Sequence, residues 1–405
     1  MRVQRLLRLL VGILLAIVAS PVAAQFELSP TLSKETYLAG EPVFLNLTVK
    51  NVSTQQVRLD TANPFTMCSG YSFALQGARD RYAMACKGGA GSCLSGFLDI
   101  LPGKSFTNRV LLNAHYDIRQ PGHYLLKVSY RASYAPGSGK LPVAALLGHQ
   151  VFQKQIEIVL APSTPEQLKP IFAPYTQDLN SPNLRKQMEA ADVISYLAPA
   201  FMESTFLRML RTPGKEGIGV EAARNLGTPS AHRALAEFVK EPPVTKFPGL
   251  HQKAIRYLGE IGDTGDVPVL LDATHRARDT ETRRVAMEAL ATAGGAAAIP
   301  ALENELRYPS KDTRDLAEDA LPFTGSRSAV PVLIQLMQSP DERLRTFAEL
   351  GLEELTHLRG AKLDGVHSLP TDAYSKWSRW WVKDGQTATI FKEDQCGEIK
   401  LIPSS

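Results

Sequence analysis

The run Gly137-Ser138-Gly139-Lys140 has the composition that could cradle a phosphate, a glycine-rich turn whose N–H groups and a lysine ammonium face one anion. The spacing denies that chemistry. Tyr134 stands where the first glycine is needed and Leu141 where a metal-binding hydroxyl is needed, with no strand-to-helix frame around them. The eight histidines (115, 123, 149, 232, 251, 275, 357 and 367) are scattered, and neither His-Glu-x-x-His nor Gly-x-Ser-x-Gly occurs. No catalytic, cofactor-binding or metal-binding set is assigned, and the chain is read as non-catalytic.

Four cysteines remain: Cys68, Cys86, Cys93 and Cys396. They lack both short Cys-x-x-Cys spacing and neighbouring histidines, which argues against a metal centre. An even count in an oxidising compartment points to disulfides. Cys86 and Cys93 enclose a glycine-rich loop and are the first choice for a pair, with pairings through Cys68 left open. Closing so short a loop would contribute about 2–3 kcal/mol.

Two further groups could recognise a ligand. Tyr374, Trp377 and Trp381 are three and four residues apart and share one helical face. That face is either a stacking platform for a carbohydrate or peptide, or a hydrophobic cap on a terminal repeat; the cap is the preferred reading. Aligning Pro268, Pro300 and Pro331 brings Asp272, Asn304 and Gln335 into one column and His275, Arg307 and Gln338 into another. These six are the candidate partner-binding stripe, weighed against an ordinary solvated helix face.

The elements that would position these residues repeat along the chain. Ala190, Ala222, Ala254, Ala286, Ala317 and Ala348 are spaced 32, 32, 32, 31 and 31 residues apart, and each is followed four residues later by isoleucine or leucine. Such a period signals stacked helical pairs, none of which can bury its apolar stripe alone. Ser163-Thr164-Pro165-Glu166 starts the first helix of the array. Gly262, Gly294 and Gly325 are read as helix stops, and Pro268, Pro300 and Pro331 as starts of second helices. The columns resemble the HEAT family of armadillo-like α-solenoids over about residues 165–360. The repeat around Ala222 departs from the pattern, with a second helix near Pro229 and a proline-containing loop from Lys240 to Pro248. The tail from Tyr374 resembles the closing helix that follows many such arrays.

Before the array the period is two. Val43, Leu45, Leu47 and Val49 alternate with Phe44, Asn46, Thr48 and Lys50, and Tyr124, Leu126, Val128 and Tyr130 share a face. Short turn-bounded strands imply an antiparallel sandwich. Gly40-Glu41-Pro42-Val43 before alternating strands, and a strand entered through Pro121-Gly122-His123-Tyr124, resemble the immunoglobulin-like modules of exported bacterial proteins. In that resemblance Tyr124 ties a turn to a strand. Asn46 and Asn51 head glycosylation sequons.

Arg2, Arg5 and Arg8, then an apolar run from Leu9 to Val18 and small residues to Ala24, form an export signal. The run is short for a membrane span, which needs about 20 residues. The chain carries 45 basic and 41 acidic residues; removing residues 1–24 takes three arginines and leaves 42 against 41. So balanced a protein has no global field for nucleic acid, and membrane contact would come only through a retained signal. The expected organisation is a signal peptide at 1–24, an immunoglobulin-like β-sandwich at 25–160, an α-solenoid at 163–360 and a capping helix and tail at 361–405. The expected role is protein–protein interaction or scaffolding, periplasmic or secreted, with a protein or peptide partner and no cofactor. The alternatives are a carbohydrate- or cell-wall-binding module and a regulatory partner of an envelope enzyme.

Overall fold

The computed structural model describes residues 26–60, 71–80, 97–136, 148–243, 247, 249–307, 310–358, 373–393 and 399–401. The expected signal at 1–24, all four cysteines, and the run from Gly137 to Leu141 lie outside the described residues. The chain divides between residues 173 and 174 into two compact units, one β-rich and one of helical repeats.

In the β-rich unit, β1 (Phe26–Leu32), β3 (Phe44–Asn51) and β8 (Ser105–Leu111) form an antiparallel sheet in the order β1-β3-β8. A second sheet runs β2 (Thr36–Leu38), β11 (Gly148–Ala161), β10 (Gly122–Pro136), β4 (Val57–Asp60) and β7 (Phe97–Ile100), with β5 (Tyr71–Gln76) also paired to β10. Short β6 (Arg79–Asp80) and β9 (Tyr116–Asp117) pair with each other. The topology is mixed, where the sequence implied antiparallel pairing throughout. β2 runs parallel to β11 over Val159–Ala161, which the long excursion of chain between them permits.

The alternation places its apolar row inside. Val43, Leu45, Leu47 and Val49 are fully buried and share one core with Leu126, Val128 and Ile158 of the other sheet. Phe44, on the nominally outer row, is also buried, beneath the Arg109 guanidinium 3.7 Å from its ring centroid. Asn51 is fully buried and its amide donates to the Ile100 carbonyl at 2.9 Å, so the folded chain does not present this sequon. Tyr124 Oη donates to the Gln120 carbonyl at 2.7 Å, tying the turn to the start of β10. Tyr124→Phe removes that bond and leaves the ring in place; it should lower stability by about 1 kcal/mol, read as a fall of a few degrees in Tm. An unchanged melt would show that the bond contributes nothing net.

The helical unit begins within α1 (Pro165–Asp178) and continues through α2 (Leu184–Leu197), α3 (Glu203–Met209), α4 (Glu216–Leu226), α5 (Pro229–Lys240), α6 (Gly249–Ile261), α7 (Val267–Arg276), α8 (Thr280–Gly294), α9 (Ile299–Leu306), α10 (Lys311–Ala320), α11 (Ala329–Leu336) and α12 (Glu342–Thr356). All six ladder alanines have no solvent exposure. The residues one turn on, Ile194, Leu258, Leu290, Leu321 and Leu352, are equally buried, and Leu226 packs against the same core. Successive first helices approach so closely that a Cβ on Gly259 of α6 would lie 2.8 Å from the Ala289 Cα of α8. Leu270, Leu302 and Leu333 supply the matching column from the second helices.

Helix ends follow local rules. Asn183, Asp279 and Asp341 cap the helices after them, their carboxyl or amide oxygens accepting from backbone N–H groups at 3.2, 2.8 and 3.0 Å. Gly227, Gly262 and Gly325 end segments with φ of 63°, 74° and 56°. Gly294, expected to stop its helix, does not: it stays helical and the positive φ of 50° falls on Gly295. Gly294 is small for a different reason, since a Cβ there would lie 2.7 Å from that of Ala298 and 2.8 Å from Val267 Cγ2.

Beyond α12, α13 (Ala373–Trp380) runs into a π turn at Trp381–Gly385, and strands β12 (Phe391–Glu393) and β13 (Ile399–Leu401) form a hairpin that the sequence did not announce. Of the expected aromatic face, the two tryptophans pack against the repeat core and Tyr374 does not. Trp377 is buried and its Nε1 donates to Glu349 Oε1 at 3.4 Å, but Tyr374 is exposed and Trp381 only half-buried. Trp380, edge-on at 5.4 Å from Trp377, packs against the same core, as does Trp381.

Candidate functional site

The second helices α7, α9 and α11 hold four of the six residues of the expected stripe, with Arg307 and Gln338 just past the ends of α9 and α11, and the structure treats them unequally. Asn304, Arg307, Gln335 and Gln338 are exposed. Asp272 is half-buried and paired with Arg276 at 3.0 Å, one turn on. His275 is half-exposed, yet its Nε2 lies 2.8 Å from Glu305 Oε1 on the next second helix. The columns are therefore not six equivalent ligand-facing groups. Two are already engaged within the stack, because i,i+4 neighbours and adjacent layers lie within side-chain reach.

His275 belongs to a pocket of about 200 Å³, lined by Thr274 and His275 of α7, Arg283 of α8, Glu305 of α9, and Ser310 and Thr313 at the start of α10. Three consecutive repeats contribute to it at their turn ends. Glu305 is 6% exposed in its side chain, and its Oε2 is buried with no hydrogen-bond partner. Arg283 donates from one terminal nitrogen to the Ala277 carbonyl at 2.9 Å. Ser310, at the N-cap of α10, makes no side-chain cap bond.

Sequence reasoning found His275 and missed the others. Glu305 had a signal: in proline register its column reads Ala273, Glu305, Leu336, one carboxylate among apolar neighbours. Arg283 belongs to a column three residues before each ladder alanine. There Gln187 donates to Leu179 O at 3.1 Å, His251 Nε2 lies 3.0 Å from Val239 O, Arg283 donates to Ala277 O, and Arg345 donates to Ser339 O at 2.8 Å. These four side chains satisfy carbonyls at the ends of preceding segments, and the column was legible as polar donors in phase, interrupted by Gly219 in the repeat of Ala222.

The first helices carry buried acids as well. Glu318 is almost fully buried and neither carboxylate oxygen has a partner. Burial, reinforced by Asp319, Asp315 and Asp341 and opposed by Arg343, pushes its carboxyl up to about 9. Burial also raises Asp192, Glu288, Asp319 and Glu349 from ordinary carboxylate values. Glu221 is held by the Tyr257 hydroxyl at 2.7 Å and by Lys253, with Oε1 unpartnered. Among the described residues no cluster of histidine, cysteine and carboxylate side chains is arranged to hold a metal ion.

Residues 245–322 match the family model for HEAT repeats, spanning α6 to α10 and the pocket. No curated protein matches the chain. Among solved structures it is similar to the complex of CpcE and CpcF of phycocyanin lyase from Nostoc, at 17% identity and a TM-score of 0.30, covering 54% of this chain and 81% of that one. It is also similar to YibA of E. coli, at 18% identity and a TM-score of 0.29, covering 47% and 70%. The alpha-2-macroglobulin of E. coli aligns over 91% of this chain but 27% of its own, at 12% identity and a TM-score of 0.19. The lyase complex corrects one expectation. Exclusion of catalysis rested on missing catalytic motifs, and a structure named as a lyase stands among the likenesses, so that exclusion is withdrawn; the likeness assigns no activity.

The buried acid has a pH signature. A carboxyl whose folded value is raised binds its proton more tightly in the folded state, so its stabilising effect is full at low pH and is lost as pH rises toward 9. Glu318→Gln should flatten that decline and, in mildly alkaline buffer, stabilise the chain by about 1–3 kcal/mol. Parallel pH profiles of Tm for the two proteins would show that Glu318 is not the titrating group.

Proposed function

We propose that this chain is an interaction or scaffolding protein whose helical repeats engage a protein or peptide partner through the second-helix face. The observation that carries the reading is the two short columns of exposed polar residues on neighbouring repeats, Asn304 with Gln335 and Arg307 with Gln338, beside a buried leucine column of the same spacing. HEAT-type arrays are quasi-one-dimensional, and their regular rows present an extended surface that a partner can follow. In this reading the β-rich unit is an immunoglobulin-like sandwich, supported by the bond from Tyr124 to Gln120. The protein acts in the bacterial envelope, a placement supported by the arginine-rich, apolar and small-residue order of residues 1–24.

Alanine at Asn304, Arg307 and Gln335 together should weaken capture of an envelope partner by about tenfold or more while leaving stability within about 0.5 kcal/mol. Affinity capture from envelope extract, with mass spectrometry and a thermal melt of the same variant, makes the test. Undiminished capture by a folded variant overturns this face as the binding surface.

A further inference from the structure

We propose that the pocket between α7, α8, α9 and α10 binds a small zwitterion, an α-amino acid or a molecule of similar size bearing one ammonium and one carboxylate. Glu305 supplies the cation subsite. Its Oε1 is occupied by His275, while Oε2 is buried and unpartnered. A buried carboxylate oxygen without a donor is costly, and an ammonium entering the pocket would satisfy it. Arg283 supplies the anion subsite. It lines the same cavity, spends one donor on Ala277, and forms no ion pair with Glu305 among the described residues.

Two residues of opposite charge line one cavity without pairing with each other, and a ligand carrying both charges can bridge them. The uncapped start of α10, at Ser310 and Thr313, adds backbone donors and a positive dipole end on the anion side. Asp279, which caps α8 through Thr282, and Asp312 in the first turn of α10 oppose a lone anion, while Lys311 at the start of α10 is paired with Asp315. The paired charges thus favour a zwitterion over a simple anion. At about 200 Å³ the cavity suits a compact molecule and is small for ligands of drug size. This inference is independent of the partner surface proposed above, since Asn304, Arg307 and Gln335 do not line the pocket.

The experiment uses the full chain and a panel of free L-amino acids, read by thermal shift and then by calorimetry. At least one should bind, with its decarboxylated amine and deaminated acid each weaker by about tenfold or more. Glu305→Gln and Arg283→Met should each lose a similar factor with the circular dichroism unchanged. The analogue series on the unaltered protein decides the matter should either variant fail to fold. No binding by any member at about 10 mM, or analogues that bind as well as the zwitterion, overturns the proposal.

Discussion

The absence of space at six alanines governs the helical unit. Each has no exposed surface, and each sits where one layer meets the next. A larger side chain there would have to push neighbouring helices apart, because a close-packed interior yields little volume without strain. The same constraint appears at Gly259 and Gly294, where even a Cβ would collide with a neighbour. Small residues set the distance between layers, and leucine or isoleucine one turn on fills what remains.

Packing this tight leaves polar groups few ways to be satisfied. The donor row at Gln187, His251, Arg283 and Arg345 answers carbonyls at segment ends, and the cap row at Asn183, Asp279 and Asp341 answers N–H groups. Acids caught between layers fare worse. Glu305 and Glu349 each keep one oxygen without a partner, and Glu318 keeps two. Burying such groups without partners works against stability.

Much of the repeat architecture could be read from residue order, because the alanine, leucine and proline columns recur in phase. The alternation at Val43, Leu45, Leu47 and Val49 was equally direct. What escaped were features without a period. Parallel pairing of β2 with β11 joins segments more than a hundred residues apart and leaves no local trace. The hairpin of β12 and β13 is too short to show alternation. Gly294 looked like a stop because glycine serves both left-handed turns and close approach, and composition does not tell the two apart. The pocket was half legible: His275 stood in a polar column and Glu305 was a lone carboxylate in an apolar one, but that they share a cavity with Arg283 shows only in the folded stack.

The link from fold to function therefore runs through layer spacing. Exposed columns on the second helices and the cavity at their turn ends both depend on repeats stacking at the separation the alanines permit. Ala286→Glu tests this most directly, by placing a charge at a site with no room and no partner. The account predicts a destabilisation above about 4 kcal/mol, with loss of helical circular dichroism and of the cooperative melt. Retention of the parent spectrum and Tm would contradict it.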